Sequence, residues 1–450
     1  AGNDITTGKF NTLIGGLSGD AIRSGDNNVA MGYSSLTTNI LSDRNVAIGN
    51  FALASHNQAS SIDSYNIAIG HDAGVAMTTG IRNTIIGSLA GDAITDSDFN
   101  VALGYASLST NVLGSRNTAI GFGTLETLNP VDGNGANVAA DTYNVAVGHA
   151  AGTAITTGIV NTYLGGEAGA ANTVGNNNVA LGFKALFTDS HGSQSVAVGV
   201  GALQTQDNGT TAVNYLNTAV GYNAALGITD GIKNTIVGGI AGRSTTTGDF
   251  NTFIGYNVGD NNVGGSSNII VGVGSNPAAT GTNLAVGLGP NLSCAAGFTT
   301  LGSGGDDIRA EHGVATFNTV SDQRYKKDIV NSTAGLDFIN DLTPRTFKYK
   351  NLGELPETFN AYKADSTDVF KNSYTNHGFI AQEVKTAIDA HSELKDGFKM
   401  WGERPDGGQE IGEAALIPML VKAVQELSTA LDAAVSANTA LAARVATLEE

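Results

Sequence analysis

Residues 1 to about 300 repeat one pattern of polar and hydrophobic positions. Each copy reads Asn, a small or β-branched residue, a mostly small or aliphatic one, an aliphatic one and then Gly, as in NTLIG, NVAMG and NVAIG. β-Branched side chains favour extended backbone, so each copy predicts one short strand. The copies begin at Asn11, Asn28, Asn45, Asn66, Asn83, Asn100, Asn117, Asn144, Asn161, Asn178, Ser195, Asn217, Asn234, Asn251, Asn268 and Asn283.

The spacing of the copies divides the array into modules. Most copies start 17 residues after the preceding one, but the steps after Asn45, Asn117 and Ser195 are 21, 27 and 22 residues. We interpret these long steps as loops inserted between modules of four coils. TTGKFNTLIG, TTGIRNTIIG, TTGIVNTYLG and TDGIKNTIVG mark the second coil of each module. Because Asn11 lies in a second coil, we expect the chain to be the C-terminal part of a longer protein.

A fixed period with one strand per period predicts a solenoid, in which each coil buries apolar positions by stacking on its neighbours. The aliphatic residue three places after each Asn, such as Ile14, Met31, Ile48 and Ile69, is expected to form the hydrophobic row. The Asn side chains are expected to form a ladder that bonds to the coils above and below. Sixteen coils at ~4.8 Å each predict a rod of roughly 75 Å.

This array, assigned to residues 1–290, resembles the β-roll heads of trimeric autotransporter adhesins and the related shafts of phage fibres. The resemblance implies a parallel β-roll that associates in threes. A hexapeptide-repeat acyltransferase would need three turns per coil. A calcium-binding roll would need repeated GGxGxD motifs, and only Gly304 to Asp307 resembles one. Paired carboxylates for glycoside hydrolysis are limited to Asp96 with Asp98 and Asp306 with Asp307, which are more typical of turns. Residues 291–320 predict short strands that close the roll.

The pattern changes after residue 320 to that of an α+β domain. Leu336 to Thr343 predicts a helix, RTFKYK a strand, residues 351–376 a loop, and AQEVKTAIDA a second helix. We assign residues 321–411 to this core and 412–450 to a final heptad helix. Its apolar seam is expected to pair in a trimeric coiled coil, and Asn438 either fixes its register or marks fraying. The seam is Ile417, Leu420, Val424, Leu427, Leu431, Ala434, Asn438, Leu441, Val445 and Leu448.

Composition narrows the classes of partner. The chain has 450 residues and a net charge of −18, which disfavours nucleic acid and anionic lipid as partners. Of its 60 Gly, 52 precede Ser321, so the glycine excess belongs to the repeat array. A single cysteine, Cys294, forms no intrachain disulfide. No stretch approaches the ~18 apolar residues of a membrane span, so no membrane insertion is expected.

Candidate chemistry lies in SDQRYKK, Ser321 to Lys327. A lysine that stays neutral can take the proton from a serine hydroxyl, and five positions let Ser321 and Lys326 meet across a turn. Taken alone this spacing is typical of a solvated basic turn. We expect Asp322 and Arg324 to order the turn. The histidines His377 and His391 are more typical of surface or packing positions.

Together with GLDFINDLTPRTFKYK, HGFIAQEV and LIPMLVKAVQEL, the SDQRYKK segment resembles the endosialidase-type intramolecular chaperone and auto-processing domain of phage tail spikes and fibres. The resemblance spans residues 321–450. It implies cleavage between Val320 and Ser321, with Ser321 as nucleophile and Lys326 as its catalytic partner. Tyr325 replaces the leucine that is common in that family.

The sequence therefore predicts a homotrimeric tail fibre or spike segment of a virion, assembled in the host cytoplasm. It would bind a host receptor or glycan and act once as an autoproteolytic serine peptidase, without metal or cofactor. The alternative is a trimeric bacterial adhesin at the cell surface, without proteolysis. A membrane-bound transcription factor with this auto-processing domain is disfavoured by the repeat array and by the expected absence of a membrane span.

Overall fold

The computed structural model describes residues 1–207, 209, 211–314, 316–319 and 321–449. The chain divides into two compact units, Ala1–Val320 and Ser321–Glu450.

The first unit is a parallel β-solenoid, which confirms the predicted fold. Each coil contributes one three-residue strand, and successive strands pair in parallel without slippage, so that Val29 lies opposite Val46 and Val46 opposite Ile67. The coil strands are Thr12–Ile14, Val29–Met31, Val46–Ile48, Ile67–Ile69, Thr84–Ile86, Val101–Leu103, Thr118–Ile120, Val145–Val147, Thr162–Leu164, Val179–Leu181, Val196–Val198, Thr218–Val220, Thr235–Val237, Thr252–Ile254, Ile269–Val271 and Val286–Leu288.

Short strand pairs accompany the coils. Gly114–Ser115 pairs with Ala140–Asp141, Gly192–Ser193 with Val213–Asn214, and Asn276–Pro277 with Ser293–Cys294. Phe298–Ser303 then continues the parallel sheet beside Val286–Leu288 and pairs antiparallel with Asp306–Glu311, which in turn pairs with Phe317–Thr319. These last strands lie where the sequence predicts short strands.

The interior row of the solenoid is not the predicted one. The middle residue of each strand points inward, and Ala30, Ala47 and Ala68 are fully buried. Ile14 and Met31, from the predicted row, are 53% and 40% exposed because alternate strand residues face opposite sides. The middle row of the strands is built largely from alanine, and the aliphatic third residue of each strand faces outward.

The asparagine ladder connects each coil to the next. Oδ1 of Asn28 accepts a hydrogen bond from the backbone N–H of Asn45 at 2.9 Å, and Nδ2 of Asn28 donates to the carbonyl of Ser42 at 3.0 Å. The ladder is therefore mainly side chain to backbone. It satisfies fully buried amide groups that would otherwise destabilise the narrow interior.

The assignment of the last copy to Asn283 was wrong. Val286 pairs with Ile269, which places Ala285 in the ladder position, and its N–H donates to Oδ1 of Asn268 at 2.9 Å. Asn283 instead accepts from the N–H of Ser266, two positions earlier in the coil. The strand register follows the interior, where Gly287 leaves room for the buried Cys294.

Large interior residues are matched by glycines across the coil. A Cβ atom at Gly169 would lie 2.6 Å from the ring of Tyr163, and one at Gly259 would lie 2.5 Å from the ring of Phe253. In several coils where the strand residue is alanine, the corresponding position holds a buried leucine, as Leu186 does for Ala180. These coils fill a similar cross-section with a different pair of residues.

Within residues 321–449 the second unit contains three helices, α1 (Leu336–Asp341), α2 (Ala381–Ala390) and α3 (Ile417–Glu449). Two antiparallel strand pairs join Arg345–Phe347 to Asn376–Gly378 and Trp401–Glu403 to Gln409–Ile411. Single 3₁₀ turns lie at Gln323–Tyr325, Leu352–Glu354 and Glu413–Leu416. The small core includes Phe338, Val384, Ile388 and Met400. The predicted strand RTFKYK is shorter than expected and ends at Phe347.

The helix α3 holds the predicted heptad seam, and its apolar side chains are exposed in the single chain. Leu420, Val424, Leu427 and Leu431 are all solvent-exposed. The helical stretch Glu413–Leu448 is long and apolar enough to cross a membrane, with a mean hydropathy of 1.3 in its most apolar window. The expectation that no stretch approaches a membrane span is therefore wrong.

Candidate functional site

The side chains of Ser321 and Lys326 lie in direct contact. Nζ of Lys326 donates a hydrogen bond to Oγ of Ser321 at 2.7 Å. Between them the chain forms the 3₁₀ turn Gln323–Tyr325, and the N–H of Lys326 closes it on the carbonyl of Gln323 at 3.0 Å. This single turn brings together two residues that are five positions apart. Both side chains are exposed in the single chain.

Asp322 begins the turn and holds it. Its Oδ1 accepts a hydrogen bond from the N–H of Arg324 at 2.8 Å, and its Oδ2 accepts one from Nη2 of Arg324 at 2.6 Å. The hydrogen bonds from the Arg324 side chain and backbone lower the pKa of the Asp322 carboxyl, and the same pair raises the pKa of Arg324. An aspartate that caps a turn and binds an arginine two residues later favours one backbone shape.

The arrangement has the parts of a serine and lysine dyad. A hydroxyl with an amine 2.7 Å away can lose its proton to that amine when the amine is unprotonated. Val320, whose carbonyl is the predicted target, lies outside the described residues. Lys327, the neighbouring lysine, makes no side-chain hydrogen bond or ion pair among the described residues.

The histidines of this unit are placed elsewhere. Nε2 of His391 lies 2.9 Å from Oδ2 of Asp341, and its ring packs edge-on against Phe338 with centroids 5.3 Å apart. His377 is exposed within its strand. The described contacts of these histidines do not include Ser321, so packing accounts for His391 and an exposed strand position for His377.

The carboxylate pairs of the solenoid have structural partners. Oδ1 of Asp98 accepts from the N–H of Ile81 at 2.7 Å, and Asp96 accepts from the hydroxyl of Thr79 in the preceding coil. Asp306 and Asp307 lie in the antiparallel strand Asp306–Glu311. Among the described residues, no group of three or more His, Cys, Asp or Glu side chains is arranged to hold a metal ion.

Sequence reasoning missed the residue that joins α3 to the core. Oε2 of Glu426 accepts the N–H of Leu336 at 2.7 Å, which caps the first turn of α1. Oε1 of Glu426 also lies 3.3 Å from Nζ of Lys422, one turn earlier on α3. The only sequence signal was an acidic residue on the helix, which is too common to indicate a contact 90 positions away.

Residues 321–392 match the family model described as chaperone of endosialidase. The match begins at Ser321, the first residue of the contacting pair, and includes Lys326, α1 and α2. No curated protein and no solved structure is similar enough to the chain to count as a match. A chaperone of this kind at the C-terminal side of a β-solenoid fits a tail fibre or spike protein.

Proposed function

We propose that the chain is a tail fibre or spike segment whose C-terminal chaperone releases itself by cutting between Val320 and Ser321. The observation that carries this proposal is the 2.7 Å contact between Lys326 Nζ and Ser321 Oγ at the first residue of the chaperone match. The family match supports the presence of a chaperone. The contact between Lys326 and Ser321 supports a reaction that would cut the chaperone from the solenoid. The solenoid would remain as the mature rod.

The cut would proceed by transfer of the Val320 acyl group. The Ser321 hydroxyl loses its proton to the Lys326 amine as its oxygen bonds to the Val320 carbonyl carbon. The tetrahedral intermediate then collapses, the C–N bond breaks, and the Lys326 ammonium returns a proton to the leaving amine of Ser321. Water hydrolyses the resulting ester, which gives a Val320 carboxylate and restores the Ser321 hydroxyl.

Assembly would control the reaction through the state of Lys326. The base must be an unprotonated amine, and removal of water from around an amine favours that form. Ser321 and Lys326 are exposed in the single chain, so packing of further copies around the turn would activate the dyad only after assembly. This coupling keeps the chaperone attached until the subunits are in register.

The assembly is proposed to be a parallel homotrimer. The chaperone match implies a trimer, and α3 exposes an apolar seam with residues spaced three and four apart, which is buried only against other helices. The same apolar content makes α3 long and apolar enough for a membrane. Lys422, Glu426 and Asp432 on this helix, and the ion pair of Lys422 with Glu426, favour the coiled coil.

Host attachment by the rod, to a surface receptor or glycan, completes the proposal, with the virion as its location after assembly in the host cytoplasm. The alternative remains a trimeric bacterial adhesin at the cell surface. Since the apolar α3 removes one argument against a membrane-bound protein, the solenoid is what disfavours a membrane-bound transcription factor.

The test is the state of the purified full chain. Intact mass and N-terminal sequencing should show a fragment that begins at Ser321, and sedimentation should show the solenoid fragment as a trimer. A single uncut, monomeric chain would contradict the proposal. A trimer that stays uncut would instead support the adhesin.

A further inference from the structure

Exposed charged and aromatic side chains cluster where inserted loops of the solenoid rejoin the coils. The repeat has three such junctions, at the long steps after Asn45, Asn117 and Ser195, and at each one the returning chain pairs in parallel with the coil it left. Two of the junctions carry Arg, Asp and Tyr at equivalent positions. We name these residues the junction sets, the first being Arg44, Asp63 and Tyr65 and the second Arg116, Asp141 and Tyr143.

The first junction set is a closed ring of polar contacts on the surface. Nε of Arg44 lies 3.0 Å from Oδ1 of Asp63, Nη1 of Arg44 donates to the Tyr65 hydroxyl at 2.8 Å, and that hydroxyl donates to Oδ2 of Asp63 at 3.1 Å. All three residues are roughly half exposed. These contacts use two of the five N–H groups of the guanidinium, and each carboxylate oxygen can accept a further bond. The set is therefore held in one geometry and still has donors and acceptors for a ligand.

The second junction set repeats this arrangement beside an additional ring. Nε of Arg116 lies 2.9 Å from Oδ2 of Asp141, which also accepts from the Tyr143 hydroxyl at 3.3 Å. The guanidinium carbon of Arg116 lies 5.8 Å from the ring centre of Tyr143 and 4.8 Å from that of Phe99. Both rings are exposed. The four coil steps between Arg44 and Arg116 separate the two sets by roughly 19 Å along the rod.

The third junction shows that a junction set is not required to attach a loop. Its equivalent positions hold Gln194, Asn214 and Leu216, so all three residue types are absent together. The strand pair of Gly192–Ser193 with Val213–Asn214 forms there nevertheless. Exposed ion pairs also contribute only ~0–1 kcal/mol to stability. Presence together at two junctions and absence together at the third therefore indicate a function other than folding of the loops.

The chemistry of a junction set suits a neutral sugar. Each set has one guanidinium and one carboxylate and so no net charge, and the charge of −18 on the whole chain disfavours an anionic ligand. A sugar ring has an apolar C–H face, which can pack on an exposed aromatic ring, and neighbouring hydroxyls, which both donate and accept. A guanidinium donates in a planar fork, and the carboxylate beside it accepts. An entirely apolar ligand would leave these groups without partners.

We propose that the two junction sets bind neutral carbohydrate chains, with the tyrosine ring against a C–H face of a sugar and the arginine and aspartate bonded to its hydroxyls. This inference rests on the proposed host attachment and adds the class of ligand and the part of the rod that binds it. Each set lies on open surface, so one contact is weak. Two sets on one rod give a carbohydrate polymer two points of attachment, which raises its apparent affinity without any new contact.

The third junction supplies matched variants for the test. Two variants convert a junction set to the residues of the third junction, which forms its strand pair with them: R44Q/D63N/Y65L and R116Q/D141N/Y143L. The reverse variant installs a third set four coil steps beyond the second: Q194R/N214D/L216Y. Tyr222→Leu is the control for loss of a surface ring, because Tyr222 is exposed and follows the glycine that ends a strand.

Binding of the full chains is measured on an array of immobilised neutral oligosaccharides of hexoses and N-acetylhexosamines, beside sulfated and sialylated ones. The native protein should bind neutral members of the array. Each single-set variant should bind the same members about tenfold more weakly or worse, and the variant with both sets converted should lose binding. The variant with the installed set should bind more tightly than the native protein, and Tyr222→Leu should bind equally well.

Intact mass and sedimentation of the same samples report the cut and the trimer, so the proposed function is tested separately from the inference. A protein that binds no neutral oligosaccharide, or only charged ones, overturns the inference. Native binding by the variant with both sets converted also overturns it. If that variant fails to fold, the installed set decides, because an unchanged affinity there contradicts a role of the junction sets in binding.

Discussion

Nζ of Lys326 lies 2.7 Å from Oγ of Ser321, and one short 3₁₀ turn is enough to bring them together. The turn depends on Asp322, which caps it and binds Arg324. The geometry of the contact between Ser321 and Lys326 is thus set by residues between them. This geometry depends on neighbouring residues in the sequence and is already present in the single chain.

Replacement of Asp322 by Ala should slow the release of the chaperone. Loss of a capping side chain destabilises a helical turn, so the cut should be slower, on the order of a few-fold, if the capped turn is the reactive form. Asp322→Asn is the matched control, because asparagine also accepts the N–H of residue 324. The half-time of fragment release is the measurement. An Asp322→Ala protein that cuts at the native rate would show that the turn does not position the dyad.

The buried Asp189 should make the solenoid less stable as pH rises. Its carboxylate accepts the N–H of Gly192 at 2.7 Å and Nε2 of Gln206 at 2.9 Å, and burial raises its pKa to about 6. The folded form therefore holds the proton more tightly than the unfolded chain does. Its contribution to stability is full below about pH 4 and is lost as pH rises through about 6.

Asp189→Asn isolates this contribution, because Asn39 and Asn111 make the corresponding turn contacts in other modules. The free energy of unfolding of the variant relative to that of the native protein should rise between pH 4 and pH 7.5, by an amount on the order of 3 kcal/mol per chain at most, and thermal unfolding at each pH measures it. A difference that stays constant over this range would mean that Asp189 remains ionised in the fold.

The pairing of Tyr163 with Gly169 should be sensitive to a single methyl group. Gly169→Ala places a Cβ atom 2.6 Å from the Tyr163 ring at a backbone φ of 60°, and overpacking of this kind destabilises by about 1–3 kcal/mol in addition to the strain of that φ. Gly135→Ala is the control, since its φ of 80° is similar but nothing lies within 4 Å.

Unfolding midpoints of the two alanine variants should differ clearly, with Gly169→Ala lower. The double variant Tyr163→Ala/Gly169→Leu should recover stability, because it reproduces the pair Ala180 and Leu186 of the next coil. Equal midpoints for the two alanine variants would contradict the packing account.

The seam of α3 should be needed for assembly. Leu431→Asp places a charge at an inward heptad position, and the chain should lose its trimer and remain uncut. Ser436→Asp lies on the opposite side of the same helix and should be harmless. Sedimentation and gel analysis without detergent give both readouts. A trimeric, fully cut Leu431→Asp protein would show that the seam does not hold the subunits together.

The period of 17 residues was sufficient to predict the solenoid, because every coil repeats the same pair of strand and turn. It did not identify the inner row. Ile14 and Met31 are more hydrophobic than Ala30, yet Ala30 is fully buried and the other two are exposed. Hydrophobicity alone did not decide which row is buried, because burial in a single chain depends on the room available.

The site was predictable to the extent that it is local. The spacing of Ser321 and Lys326, with Asp322 at the start of the turn, favours a turn that brings the two side chains together. Their predicted roles as nucleophile and catalytic partner came from the family resemblance. The contact of Glu426 with the N-terminus of α1 was not predictable, because it depends on how α3 packs. The same applies to the surroundings of Lys326 in the assembled protein, which other chains would supply.

The cut itself gives the most direct test. Four full chains, the native protein, Ser321→Ala, Lys326→Ala and Lys327→Ala, are purified and their intact masses are measured beside their sedimentation. The native protein and Lys327→Ala should yield a fragment that begins at Ser321, whereas Ser321→Ala and Lys326→Ala should remain full-length trimers. A fragment beginning at residue 321 in the Ser321→Ala protein would contradict the mechanism.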